Sequence, residues 1–171
     1  RYMYINYFQK TTRNYGVFAF VLLAGYFPAV VFIKQIATTY VPVIDYLNVL
    51  FVITALQGKM QLVNNSYYQA LRLEREMLIA NFTSLLIAAT LSLALFMLTD
   101  SIIAIAYATL LTMLIRVYAS QMFLLRHMGG AVGGWGMFIE TLVWMTFLLI
   151  TNALPLAFGA CAWMFIVALT A

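Results

Sequence analysis

Hydrophobic residues fill four long stretches of the chain and one still longer terminal stretch, and polar residues enter them at helical spacing. A helix that crosses a bilayer needs about 20 mostly apolar residues. Residues 16–33, 43–64, 77–98 and 102–120 fit that requirement. The terminal stretch, 137–171, is too long for one crossing. Asn152 and Pro155 mark a turn within it, so it reads as a hairpin of two short helices. The pattern predicts an all-α integral membrane protein with about six transmembrane helices.

The stretch 54–76, TALQGKMQLVNNSYYQALRLERE, carries most of the polar information. Thr54, Gln57, Gln61, Asn64, Asn65 and Tyr68 recur at i+3, i+4 and i+7, which places them in one stripe of a straight helix. Amides are costly against lipid tails, so the stripe is expected to face other helices or a water-filled cavity. Residues 66–76 have strong helix propensity and are expected to carry the helix beyond the bilayer.

Other local signals fill in the connections. Gly25 and Pro28 predict a kink in the first span. Tyr2, Tyr4, Tyr7 and Phe8, with Lys10 and Arg13, read as an interfacial approach to it. Pro42 suits the first turn of the second helix. Ala80, Ser84, Ala88 and Ser92 form a small-residue ridge that permits close helix contact. Thr99, Asp100 and Ser101 predict a tight turn, with Asp100 or Ser101 capping the next helix. Gly129, Gly130, Gly133, Gly134 and Gly136 mark a linker over 129–136, which separates a four-helix part, 1–128, from the hairpin at 137–171.

Composition sharpens the class. The chain is 65% hydrophobic and 8% charged, against about 25% charged in ordinary globular proteins, so its charges are too few to cover a water-soluble surface. The net charge of +4 reads as membrane topology rather than nucleic-acid binding. Six crossings put Arg1, Lys10, Arg13, Arg72, Arg75, Arg126 and His127 on one side, with only Lys34 among the opposite basic residues. That side, with both ends of the chain, is expected to be cytoplasmic. Cys161 is the sole cysteine and forms no intrachain disulfide; His127 is the sole histidine, and no metal or cofactor is implied. No Ser/His pair, paired aspartates or HExxH pattern points to an enzyme. The start at Arg1 and the stop at Ala171 within a hydrophobic run suggest a piece of a longer transporter-sized chain.

Three stretches carry a family resemblance: GYFPAVVFIKQIATTYVPVIDYLNVLFVI, QGKMQLVNNSYYQALRLEREMLIANF and DSIIAIAYATLLTMLIRVYASQMFLLRHMG. With Tyr68, Ala70, Leu71, Arg72 and Glu76 at the helix-to-loop junction, and Ala104–Ala106 opening the fourth span, they resemble the C-terminal part of polysaccharide (O-antigen-type) flippases. These belong to the multidrug/oligosaccharidyl-lipid/polysaccharide exporter superfamily. The resemblance covers roughly residues 1–128, and the last hairpin is similar to the extra helix pair of fourteen-helix members. It implies an inner-membrane transporter whose partial bundle pairs with a missing N-terminal lobe. That transporter would move a lipid-linked oligosaccharide diphosphate by alternating access.

An anionic diphosphate calls for inward-facing basic and amide groups. Arg116 shares a face with Thr109, Thr112 and Ala108, and with the less polar Ile105; it would bind diphosphate bidentately, or else snorkel to the headgroups. Gln57, Gln61 and Asn64 are candidates for substrate contact or for helix–helix hydrogen bonds. Lys59 lies off the stripe, where snorkelling competes with a binding role. Glu140, Asp45 and Asp100 read as helix-start carboxylates, with proton coupling a second reading for Glu140. Trp135, Trp144 and Trp163 fit interfacial or lipid-facing positions. Competing functions are a drug or cation antiporter of the same superfamily, which needs a carboxylate inside the bundle, and a small accessory membrane protein.

Overall fold

The computed structural model describes residues 2–129 and 134–170. Among them every regular element is helical. The chain runs through α1 (Tyr2–Ala24), α2 (Tyr26–Gln35), a 3₁₀ segment (Thr38–Val43) and α3 (Ile44–Lys59). A π-helical turn (Met60–Asn65) and a short α4 (Ser66–Ala70) follow, then α5 (Glu74–Thr99), α6 (Ile102–Met128), α7 (Gly134–Ala153) and α8 (Leu156–Thr170). Four continuous helical stretches are long and apolar enough to cross a membrane: Ile5–Gln35, Thr38–Ala70, Glu74–Thr99 and Ile102–Met128. The terminal hairpin expected to supply two further crossings is present as α7 and α8, but among the described residues neither is among the helices long and apolar enough to cross.

The breaks have local causes. Pro28 has no N–H to offer the Ala24 carbonyl, and α1 ends at Ala24. Gly25 takes up the change with a tight Gly25 N–H to Leu22 C=O bond at 3.0 Å before α2 begins. The expected extension across 66–76 is interrupted at Leu71–Leu73, where Arg72 adopts φ 57°. The turn after α5 lies where expected, but Asp100 is the left-handed C-cap of α5, and neither it nor Ser101 caps α6 with its side chain. A short αL residue closes the last turn of a helix well because Asn and Asp tolerate that conformation. Asp45 occupies the first turn of α3, as its sequence position implied.

Packing centres on α1, α3, α6 and α7, with α8 laid against α1. The buried face of α3 carries Asn48, Val49, Val52, Ala55, Leu56 and Lys59. Trp144 and Trp163 belong to this core rather than to a lipid-facing belt: their exposures are 1% and 0%. The Trp163 indole donates to the Phe20 carbonyl at 3.2 Å and meets Phe147 edge-on at 4.9 Å. The side chain of Trp135 lies outside the described residues. The terminal hairpin thus shares the aromatic core of α1. Against lipid, apolar side chains gain little by leaving one oily phase for another, so such helices are held by close packing and interhelical hydrogen bonds.

α5 stands apart from that core. It packs mainly on α6, and none of its residues is fully buried. The ridge Ala80, Ser84, Ala88 and Ser92 is half-buried, whereas Leu78, Phe82, Leu85, Leu93 and Met97 are exposed. A helix that is apolar all round suits a lipid environment. At one end of the bundle Phe8 meets Tyr67, and Tyr68 stacks on Phe123, which stacks on His127. These rings pack the N-terminal part of α1 against α4 and α4 against the C-terminal part of α6.

Candidate functional site

The polar groups of 54–76 divide between core and surface, and a π turn lies among them at Met60–Asn65. A π turn accommodates about one extra residue, and one residue is about 100° of rotation in an α-helix. The segment after Asn65 is therefore turned relative to a straight continuation of α3. Asn64 and Tyr68 become buried, while Thr54 and Gln61 remain exposed and Gln57 is intermediate. Asn64 Nδ2 donates to the Val117 carbonyl of α6 at 3.2 Å, which is helix-to-helix bonding of the kind its amide suggested. The Thr54 hydroxyl donates to the Leu50 carbonyl of its own helix. The straight-helix stripe is thus divided between the two sides of the helix.

Lys59 does not snorkel. Its exposure is 0%, and its ammonium pairs with Glu140 Oε2 at 2.5 Å, the Glu140 side chain being 14% exposed. The same ammonium sits 5.3 Å from the centroid of the Tyr118 ring, within cation–π range. Glu140 lies in the second turn of α7 and points into the bundle, so the ion pair, not the helix start, determines its surroundings. A lone buried ammonium is very costly, and the carboxylate and the ring face offset that cost. The Tyr15 hydroxyl donates to the Ala55 carbonyl at 2.7 Å one turn before Lys59, and ties α1 to α3 there. Near the other end of α3, Asn48 Nδ2 donates to Thr151 Oγ1 and Asn152 Oδ1, both at 3.1 Å.

Arg116 occupies the opposite side of α6. It is two positions from Tyr118, about 200° around the helix. Its guanidinium Nη2 donates to Asn81 Oδ1 of α5 at 2.5 Å, and its Nε is buried without a partner among the described residues. It lines an open groove of about 540 Å³ between α5 and α6. Ile79, Ala80, Ile87, Ile115 and Phe123 make that groove largely apolar, and Glu76 lines it too. Thr112 and Thr109, on the Arg116 face, bond back to the Ala108 and Ile105 carbonyls. Their hydroxyl protons are therefore already engaged.

The candidates thus fall into two places. Lys59 joins Glu140 between α3, α6 and α7, and Arg116 joins Asn81 between α5 and α6. Asn64 is a helix-to-helix bond, and Gln61 faces outward. Asn81 and Gln121 were not signalled by the periodicity. Asn81 is the one amide on the third hydrophobic stretch, and that isolation is the available signal. Gln121 lies just past the expected end of the fourth span at residue 120, which α6 overruns to Met128. Among the described residues no three His, Cys, Asp or Glu side chains gather as a metal set. Compared with known proteins, the chain matches no family model, no curated protein and no solved structure.

Proposed function

We propose that the chain is part of an inner-membrane transporter that moves a lipid-linked oligosaccharide diphosphate by alternating access. In this reading the end carrying Arg13, Arg72 and Arg126 is cytoplasmic, and Arg116 contacts the diphosphate. Support comes from the sequence resemblance and from one observation above all: a half-buried arginine opening onto an apolar groove. Such a groove suits a lipid stem, and a guanidinium suits a phosphate. Asn81 fixes one edge of the guanidinium and leaves Nε without a partner. Glu76 is five positions before Asn81, roughly 7 Å along α5, and bounds the anion-accepting level from below.

The test uses cells producing Arg116→Ala and Arg116→Lys at normal protein levels. Arg116→Ala should accumulate lipid-linked sugar on the cytoplasmic leaflet, and Arg116→Lys should restore flipping only in part, since lysine lacks the planar fork. Undiminished flipping by Arg116→Ala removes the residue from the pathway.

A cation antiporter is the second reading, because Glu140 is a carboxylate inside the bundle. Lys59 already neutralises it, which disfavours a further role with a cationic drug. Efflux of a cationic dye that is lost in Glu140→Gln, with sugar flipping intact in Arg116→Ala, would favour that reading.

A further inference from the structure

A second cavity, of about 540 Å³, lies between α1, α6 and α7. Its wall is mostly apolar, with Phe8, Val17, Phe20, Leu125 and Val143. Thr12 Oγ1 and Glu140 Oε1 are enclosed and offer nothing to the space. Toward the start of α1, Gln9 and Arg13 also border a smaller polar pocket of about 300 Å³, which Asn6 and Lys10 complete. Asn6, Gln9, Lys10 and Arg13 follow i, i+3, i+4 and i+7, so one face of α1 carries all four. The two spaces form one groove, apolar within and basic at one end.

Charge, length and shape narrow the occupant. Lys10 and Arg13 are exposed, and neither forms an ion pair among the described residues. Of the five carboxylates in the chain only Glu140 borders either space, and Lys59 already offsets it. Two uncompensated positive charges favour an anionic group, and a guanidinium suits a phosphate. Lys10 and Arg13 precede the apolar run that begins at Gly16, which is headgroup depth for a helix that crosses a bilayer. From Lys10 to Phe20 is roughly 15 Å along α1, about half of a 30 Å hydrocarbon core and so the depth of one acyl chain. Gly16 keeps the groove open. It lines the cavity, and a methyl group built on it would meet nothing within 4 Å. Its φ is not positive, so the backbone does not require glycine there, and glycine is a poor helix former.

We propose that this groove holds one anionic glycerophospholipid of the phosphatidylglycerol type. Lys10 and Arg13 take the phosphodiester, and one acyl chain passes Gly16 and lies along Val17, Phe20 and Val143. The lipid thereby joins α1 to α6 and α7. The inference takes the helices to lie in a bilayer; it depends neither on the transport reading nor on the Arg116 groove.

The experiment is native mass spectrometry of the detergent-purified protein titrated with phosphatidylglycerol or phosphatidylcholine, each with and without soluble glycerol phosphate as competitor. The expected result is one phosphatidylglycerol, retained about thirtyfold more tightly than phosphatidylcholine, whose choline cancels the phosphate charge. Lys10→Gln and Arg13→Gln should each weaken phosphatidylglycerol about fivefold, and together bring it to the level of phosphatidylcholine, which stays unchanged. Gly16→Leu should weaken both lipids alike, because its side chain fills the notch. The charge variants lie on an exposed face and the first carbon added at Gly16 has room, so two independent routes to a folded variant exist, each checked by circular dichroism. Equal retention of the two lipids by the unaltered protein overturns the proposal. So does a folded Lys10→Gln, Arg13→Gln double variant that keeps its preference, or a folded Gly16→Leu protein that retains both lipids as before. Displacement of phosphatidylglycerol by an equal concentration of glycerol phosphate assigns the groove to a soluble phosphate and overturns the lipid assignment.

Discussion

Among the described residues, replacing Glu140 by alanine leaves the Lys59 ammonium enclosed by α3, α6 and α7 with the Tyr118 ring as its remaining charge partner. Removing one partner of a buried ion pair costs about 3–5 kcal/mol, because the survivor is left uncompensated in a poor solvent for charge. Lys59→Met leaves the Glu140 carboxylate, which is 14% exposed where Lys59 is fully buried, so its effect should be smaller. The double replacement Lys59→Met with Glu140→Leu removes both charges and keeps most of the volume, and such exchanges are often neutral or stabilising. Denaturation in mixed micelles, followed by far-ultraviolet circular dichroism, measures Glu140→Ala alongside a thermodynamic cycle of the parent, Lys59→Met, Glu140→Leu and their double. Glu140→Ala should lose several kcal/mol, and the double variant should recover most of it. A coupling energy below about 0.5 kcal/mol would show that the pair is not buried as a unit, and the account of Lys59 would fall.

Two further perturbations probe the same helices. A methyl group added at Gly58 would meet the Tyr15 hydroxyl at 2.3 Å, so Gly58→Ala should cost about 1–3 kcal/mol in the same micelle assay; Tyr15→Phe, which removes that oxygen, should relieve much of the penalty, and full additivity of the two changes would refute the clash. Asn48→Ala removes the amide link from α3 to Thr151 and Asn152, and should destabilise by about 0.6–1.7 kcal/mol, as interhelical bonds in membrane helices do. A Thr151→Val change that adds nothing to Asn48→Ala would support the link, and full additivity would count against it.

The linear pattern was enough for the helices themselves. Runs of apolar residues, the Gly25/Pro28 break, the Thr99–Ser101 turn and the small-residue ridge of α5 are local properties, and each appears where the chain places it. Local rules also have a defined reach. A straight 3.6-residue period placed Gln57, Gln61 and Asn64 in one stripe and Lys59 off it, with snorkelling as a reading for Lys59; Lys59 and Asn64 are buried and Gln61 is exposed, and the π turn at Met60–Asn65 rotates the residues beyond it by about one position. The two tryptophans looked interfacial because their partners, Phe20 and Phe147, are distant in sequence.

Composition and periodicity alone determined that this is an all-helical chain with segments fit to cross a bilayer, since hydrophobic length and breaker residues act on near neighbours. Only the tertiary arrangement decided that Lys59 meets Glu140 across 81 positions, that Arg116 turns to Asn81 instead, and that Thr12 and Gln121 share a cavity. A charge in a low-dielectric interior must find its partner wherever the helices happen to pack, and packing is fixed by surfaces that no single window of sequence contains.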